Sequence, residues 1–110
     1  MAAVAVILMS LLAGCYTQDD FAQDLWAADC ERVLECYSDA SLEALPYDDV
    51  DACLAYNAES IEDTRVETEG QDCRYDAGAA EACVAAVTDA SCEDFLDDAF
   101  RETCEAVCGE

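Results

Sequence analysis

Read at 100° per residue, the segment from Asp20 to Ser38 places Phe21, Leu25, Cys36, Ala22, Val33, Trp26, Tyr37 and Cys30 in order around one broad arc, with Asp24, Glu31 and Glu35 opposite. That spacing predicts an amphipathic helix. Asp19 or Asp20 can cap its first turn by accepting from amides that have no partner inside the helix. Residues 39–47 show no stripe and end in Pro46-Tyr47, so they read as a loop. Asp48 is placed to cap a second helix to about Glu62, with Val50, Leu54, Ala58 and Ile61 as its stripe and Cys53 at the edge. The polar stretch Asp63 to Asp72 contains Gly70 and little periodicity, and reads as a connecting loop. Asp76 opens a third, Ala-rich helix to about Thr88 that aligns Ala80, Cys83, Val84 and Val87. Ser91 caps a last segment, Cys92 to Val107, with Phe95, Leu96, Ala99, Phe100, Thr103, Cys104 and Val107 on one side. A break near Asp97-Asp98 is compatible with it, and Gly109 sits where a C-terminal cap belongs. No stretch alternates with period two, which argues against strands. The expected fold is all-α, a small bundle of three to four helices.

Upstream of these elements, Met1 to Gly14 carry no charge, and twelve of the fourteen residues are apolar. A helix needs about 20 residues to cross a hydrocarbon core, so this run is too short to span one. It has the length of a signal-peptide apolar region with small residues at its end. No Lys or Arg precedes it, a departure from the usual basic start that a start codon chosen too far downstream would explain. The run closes on Leu12-Ala13-Gly14-Cys15, which resembles the lipobox of bacterial lipoproteins. That resemblance implies a diacylglyceryl group on the Cys15 thiol, cleavage before Cys15, and acylation of the new amine with a chain such as palmitate. Several acyl chains anchor firmly where a single myristoyl chain is marginal. The expected organisation is a signal peptide over residues 1–14, a lipidated tether over 15–19 and a cysteine-rich acidic domain over 20–110. Tyr16, not Asp, follows the cysteine, which by the sorting rule of Gram-negative lipoproteins favours the outer membrane.

The chain has nine cysteines, and assigning Cys15 to lipid leaves an even set: Cys30, Cys36, Cys53, Cys73, Cys83, Cys92, Cys104 and Cys108. In an oxidising compartment this set reads as four disulfides. A thiolate metal site is opposed by the absence of His and of any Cys-x-x-Cys, so neither metal nor cofactor is expected. Within one continuous helix Cys30 and Cys36 lie about 9 Å apart along the axis, too far to bond. Cys104 and Cys108 project outward from successive turns, also a poor bridge. If the first two helices form an antiparallel hairpin, Cys36 and Cys53 come level, and Cys36–Cys53 is the one pairing this pattern favours. The remaining pairings stay open.

Composition narrows the chemistry further. The 27 Asp and Glu stand against 4 Arg and no Lys, a formal charge of −23, which excludes a phosphate-binding surface and hence nucleic acid. Without His there is no Ser-His-Asp or Cys-His arrangement, and an enzyme is not expected. Carboxylate pairs are too abundant to signal a site; their ordinary reading is a solvated face. Asp48-Asp49-Val50-Asp51 and Asp97-Asp98 could supply oxygen ligands, yet the EF-hand spacing is absent, so weak, diffuse binding of divalent cations is expected. Arg32, Arg65, Arg74 and Arg101 are dispersed among local acids. Trp26 and the tyrosines could form a sugar platform, but Trp26 falls inside the first apolar arc and reads as packing.

From Cys73 to Cys92 the chain reads CRYDAGAAEACVAAVTDASC, an aromatic-Asp opening at Tyr75-Asp76, an Ala-rich helix carrying Cys83, and Cys92 nine positions on. With the lipobox and Cys30-x5-Cys36, this resembles the small cysteine-rich lipoproteins of myxobacteria and related high-GC bacteria. The resemblance implies an address and an architecture, and carries no known activity. The expectation is a lipid-anchored protein of the cell envelope with a structural or protein-contact role, its partner bearing a basic surface. The alternative is an extracytoplasmic divalent-cation-binding module.

Overall fold

The computed structural model describes residues 16–109. Among these residues, seven helices and one minimal sheet follow in chain order: α1 Gln18–Cys36, α2 Asp39–Glu43, α3 Val50–Tyr56, α4 Ala58–Glu69, β1 Arg74–Tyr75, α5 Ala77–Asp89, α6 Cys92–Leu96, α7 Arg101–Glu105 and β2 Cys108–Gly109. The long α1 is the spine, packing against α5, α4, α3 and α6. Its N-terminal half, through Phe21, joins Ala80, Cys83 and Val107 in one buried cluster. Its C-terminal half, through Ala28 and Val33, joins Val87 and Phe95 in a second.

Short polar side chains set five of these helix starts. Thr17, not Asp19 or Asp20, caps α1: its Oγ1 accepts from the Asp20 amide at 3.1 Å, and Asp20 Oδ2 accepts in return from the Thr17 amide at 3.3 Å. Asp49, one residue beyond the expected Asp48, caps α3 by accepting from the Ala52 amide at 2.7 Å. Asp76 caps α5 and Ser91 caps α6, both at the positions read from the sequence. Inside the expected loop 39–47, Ser38 starts the short α2 by accepting from the Ser41 amide.

Some boundaries depart from the sequence reading for identifiable reasons, and the break allowed near Asp97-Asp98 is present. The expected second helix is divided at Asn57, whose Nδ2 donates to the Cys53 carbonyl at 2.9 Å and competes with helix propagation. Residues 63–69, expected as loop, complete α4. Its inward stripe is Ile61, Thr64 and Thr68, and the threonine hydroxyls donate to carbonyls of the preceding turn, so polar residues serve where aliphatic ones signal a helix. The last segment breaks into α6 and α7 at Asp98, whose φ of 56° lies in the left-handed region that Asp tolerates better than most residues. Gly109 does not cap a helix; with Cys108 it forms a two-residue antiparallel ladder in the register Arg74↔Gly109 and Tyr75↔Cys108.

All eight cysteines from Cys30 to Cys108 form bridges: Cys30–Cys53, Cys36–Cys92, Cys73–Cys108 and Cys83–Cys104. The favoured Cys36–Cys53 pairing is therefore incorrect. It assumed a tight hairpin, whereas residues 37–49 with α2 carry the chain back so that α3 meets the middle of α1, level with Cys30. Cys36, at the end of α1, meets Cys92 at the start of α6 with a Cα–Cα distance of 5.1 Å. The result is an all-α body, apart from the two-residue ladder, stapled by four disulfides.

Candidate functional site

The end of the molecule nearest Cys15 is tied down by tyrosines. Tyr75 sits in β1, next to the Cys73–Cys108 bridge, and its hydroxyl lies 3.1 Å from the carbonyls of both Tyr16 and Thr17. The Tyr16 hydroxyl donates to Asp24 Oδ2 at 2.8 Å, and the Tyr75 ring packs on Phe21 with centroids 6.3 Å apart. Burial, then the hydrogen bond to Asp24, pushes the Tyr16 phenol far above its ordinary range; burial and the Asp20 carboxylate raise Tyr75. Both rings hold their protons as donors. Tyr16 and Thr17, from the expected tether, accept from Tyr75 through their carbonyls, and α1 begins at Gln18. Cys15 itself lies outside the described residues. A surface depression of about 600 Å³ lined by Arg74, Tyr75, Asp76, Ala77, Gly78 and Gly109 adjoins this end.

A second grouping lies where α1 ends and the α2–α3 connection folds back. The Tyr47 and Tyr56 rings meet with centroids 5.6 Å apart at 48°. Tyr37 shares a depression of about 310 Å³ with Cys36, Ser38, Ser41 and Leu96. Burial, then the neighbouring Asp29 carboxylate and the Tyr37 and Tyr56 phenols, raise Tyr47. Asp29 is itself raised, first by burial and then by the like charge of Asp98. No hydrogen bond or ion pair reaches its carboxylate among the described residues. The sequence reading passed over Asp29, although at 100° per residue it falls between Cys36 and Ala22, in the middle of the apolar arc of α1.

Elsewhere the polar chemistry is local. Arg32 pairs with Glu35 and donates to the Ala90 carbonyl at 3.2 Å, Arg65 pairs with Glu62 and Glu69, and Arg101 pairs with Asp98 at 2.9 Å. Trp26 is half-buried in the seam of α1 and α4, where its indole N–H donates to Thr64 Oγ1 at 3.1 Å. Among the described residues no three His, Cys, Asp or Glu side chains converge in a way that could hold a metal ion.

No family model, curated protein or solved structure matches the chain.

What can be stated of its address comes from its own chemistry. Four disulfides in so small a body point to an oxidising, extracytoplasmic compartment. Among the described residues no helix is long and apolar enough to cross a membrane.

Proposed function

We propose that this is a lipoprotein of the bacterial cell envelope, anchored through acyl chains on Cys15, which acts by protein contact and not by catalysis. The observation that carries this reading is the cysteine inventory. Every other cysteine of the chain is taken by a bridge, so Cys15 has no thiol partner within the molecule, and it stands at the end of Leu12-Ala13-Gly14-Cys15. Its resemblance to the small cysteine-rich lipoproteins of myxobacteria supports the same address, and Tyr16 after the cysteine favours the outer membrane. Because Tyr75 holds Tyr16 and Thr17, the anchor connects to the body without slack, and the β1–β2 end faces the headgroups. The acidic surface is presented to a partner with basic groups and gathers divalent cations only diffusely.

Intact mass of protein extracted from membranes tests the reading. The expected species begins at an acylated Cys15 and lacks eight hydrogens relative to the fully reduced chain. An unmodified Cys15 would overturn the anchor, and free thiols among the other eight would overturn the staples.

A further inference from the structure

We propose that Cys36–Cys92 is a thiol–disulfide exchange site, a clasp that an extracytoplasmic dithiol opens while the other three bridges stay closed. The inference goes beyond the protein-contact reading and holds whether or not Cys15 carries lipid.

Two observations meet at this bridge. The first is its place in the covalent topology. Cys30–Cys53 closes inside the first part of the chain, and Cys83–Cys104 is nested within Cys73–Cys108 in the second. Cys36–Cys92 alone crosses between them. It staples the end of α1 to α6, whose Phe95 packs with Ala28 and Val33 of α1 and Val87 of α5. The start of α1 is held to the second part differently, by the Tyr75 hydroxyl on the Tyr16 and Thr17 carbonyls. The second observation is access. Cys30, Cys53 and Cys83 are at most 1% exposed. Cys92 is the one exposed residue among the eight bridged cysteines. Its partner Cys36 is half-buried and lines the depression it shares with Tyr37, Ser38, Ser41 and Leu96. Cys73 and Cys108, the nearest rivals, are both half-buried.

Exchange requires a thiolate to reach one sulfur of the bond, so a buried bridge reacts only after the fold opens around it. Here one thiol of the dithiol, having lost its proton to water, attacks Cys92 Sγ from solvent. A new S–S bond joins them, the Cys36–Cys92 bond breaks, and its electron pair leaves on Cys36 Sγ, which takes a proton from water. The second thiol, deprotonated in the same way, attacks the dithiol's sulfur in the mixed disulfide and releases Cys92 as a thiolate that is protonated in turn. The dithiol ends as a disulfide, and the protein has gained two electrons and two protons. Across the opened seam, packing remains, together with Arg32, which donates to the Ala90 carbonyl at 3.2 Å. Without the clasp, α6 lifts Phe95 from the second cluster more readily, while Cys73–Cys108 and Cys83–Cys104 keep α5, α7 and the ladder together.

The test uses the full, disulfide-intact chain, with any free thiol first blocked by iodoacetamide. Dithiothreitol is the probe, at about pH 8, where thiols are partly ionised. Samples are quenched with acid over time, alkylated with N-ethylmaleimide and mapped by peptide mass spectrometry. Cys36 and Cys92 are expected to be labelled together, at least about tenfold faster than any other pair, through a species with three bridges intact. In that species amide exchange should speed at least about tenfold over residues 92–97 and the last turn of α1. The first turn of α1, held by Tyr75, and α5 should keep their rates. Cys36→Ser/Cys92→Ser, which carries no adduct, should show the same exchange pattern. Reduction of Cys73–Cys108 first, or of all four bridges in one step, would overturn the proposal. So would a three-bridge species that exchanges like the parent, because the bridge would then be an exposed staple and not a clasp.

Discussion

The Tyr75 hydroxyl reaches two consecutive carbonyls, those of Tyr16 and Thr17, which precede α1. One proton shared between two acceptors contributes about 1 kcal/mol net, and its loss leaves the half-buried Tyr16 carbonyl to find water. Tyr75→Phe should keep the ring contact with Phe21, lower the urea midpoint by an amount corresponding to about 1 kcal/mol, and speed amide exchange in the first turn of α1. Asp29 gives the opposite sign. Its folded-state affinity for a proton is raised by burial and Asp98, with Tyr47 the other titratable group it acts on. The folded chain therefore holds this proton to higher pH than the unfolded chain does. The stability that the protonated form preserves is complete below about pH 4, where the unfolded carboxyl also binds its proton, and is lost as pH rises through the folded value. Asn, which cannot ionise, should make the protein more stable than the parent at pH 7, with the difference vanishing below about pH 4 in urea titrations across that range.

At the level of elements, the longest disulfide loop should dominate stability. Cys36–Cys92 closes 56 residues of sequence separation, against 21 for Cys83–Cys104. Chain entropy assigns such a loop about 4 kcal/mol. Because Cys36 is only half-buried and Cys92 exposed, the double variant Cys36→Ala/Cys92→Ala loses little packing. Its urea midpoint should fall by the equivalent of about 4 kcal/mol with the slope raised, since the unfolded chain becomes freer to expand. This bridge also illustrates which features were legible in the sequence. Caps such as Asp76 and Ser91, and the stripe of α1, are local patterns readable from spacing alone. Disulfide partners depend on where α3 and α6 land on α1, and that follows from a connection whose short α2 leaves no hydrophobic signature. The threonine-lined half of α4 was hidden for a related reason: Thr64 and Thr68 satisfy their hydroxyls within the helix, so a polar stretch is buried as though it were apolar. In the candidate site, aromatic residues were visible in the sequence, but the meeting of Tyr47 with Tyr56 depends on the fold-back of residues 37–49.

For the whole molecule, the governing quantity is the charge of −23. Arg32–Glu35, Arg65 with Glu62 and Glu69, and Arg101–Asp98 each join residues three or four apart on the same element or turn. Such exposed pairs contribute little to holding elements together. With 27 acids against 4 Arg, repulsion is the larger electrostatic effect, opposed by the two buried clusters and the staples. A folded domain of this size has a radius of gyration of about 13 Å. At 0.01 M salt the screening length is about 30 Å, so nearly every carboxylate acts on every other; at 0.15 M it is about 8 Å, and only neighbours do. The urea midpoint at pH 7 should rise with NaCl, with most of the gain below 0.15 M, whereas a protein held by ion pairs would lose stability over the same range. Magnesium and calcium should raise it equally at matched ionic strength, because diffuse screening reads charge and not ionic radius. Selective calcium binding at a built site would act by mass action instead, adding about 2.7 kcal/mol at a hundred times its Kd and continuing as the logarithm of concentration. A midpoint that climbs with micromolar calcium and not with magnesium would thus establish a dedicated cation module in place of a protein-contact role.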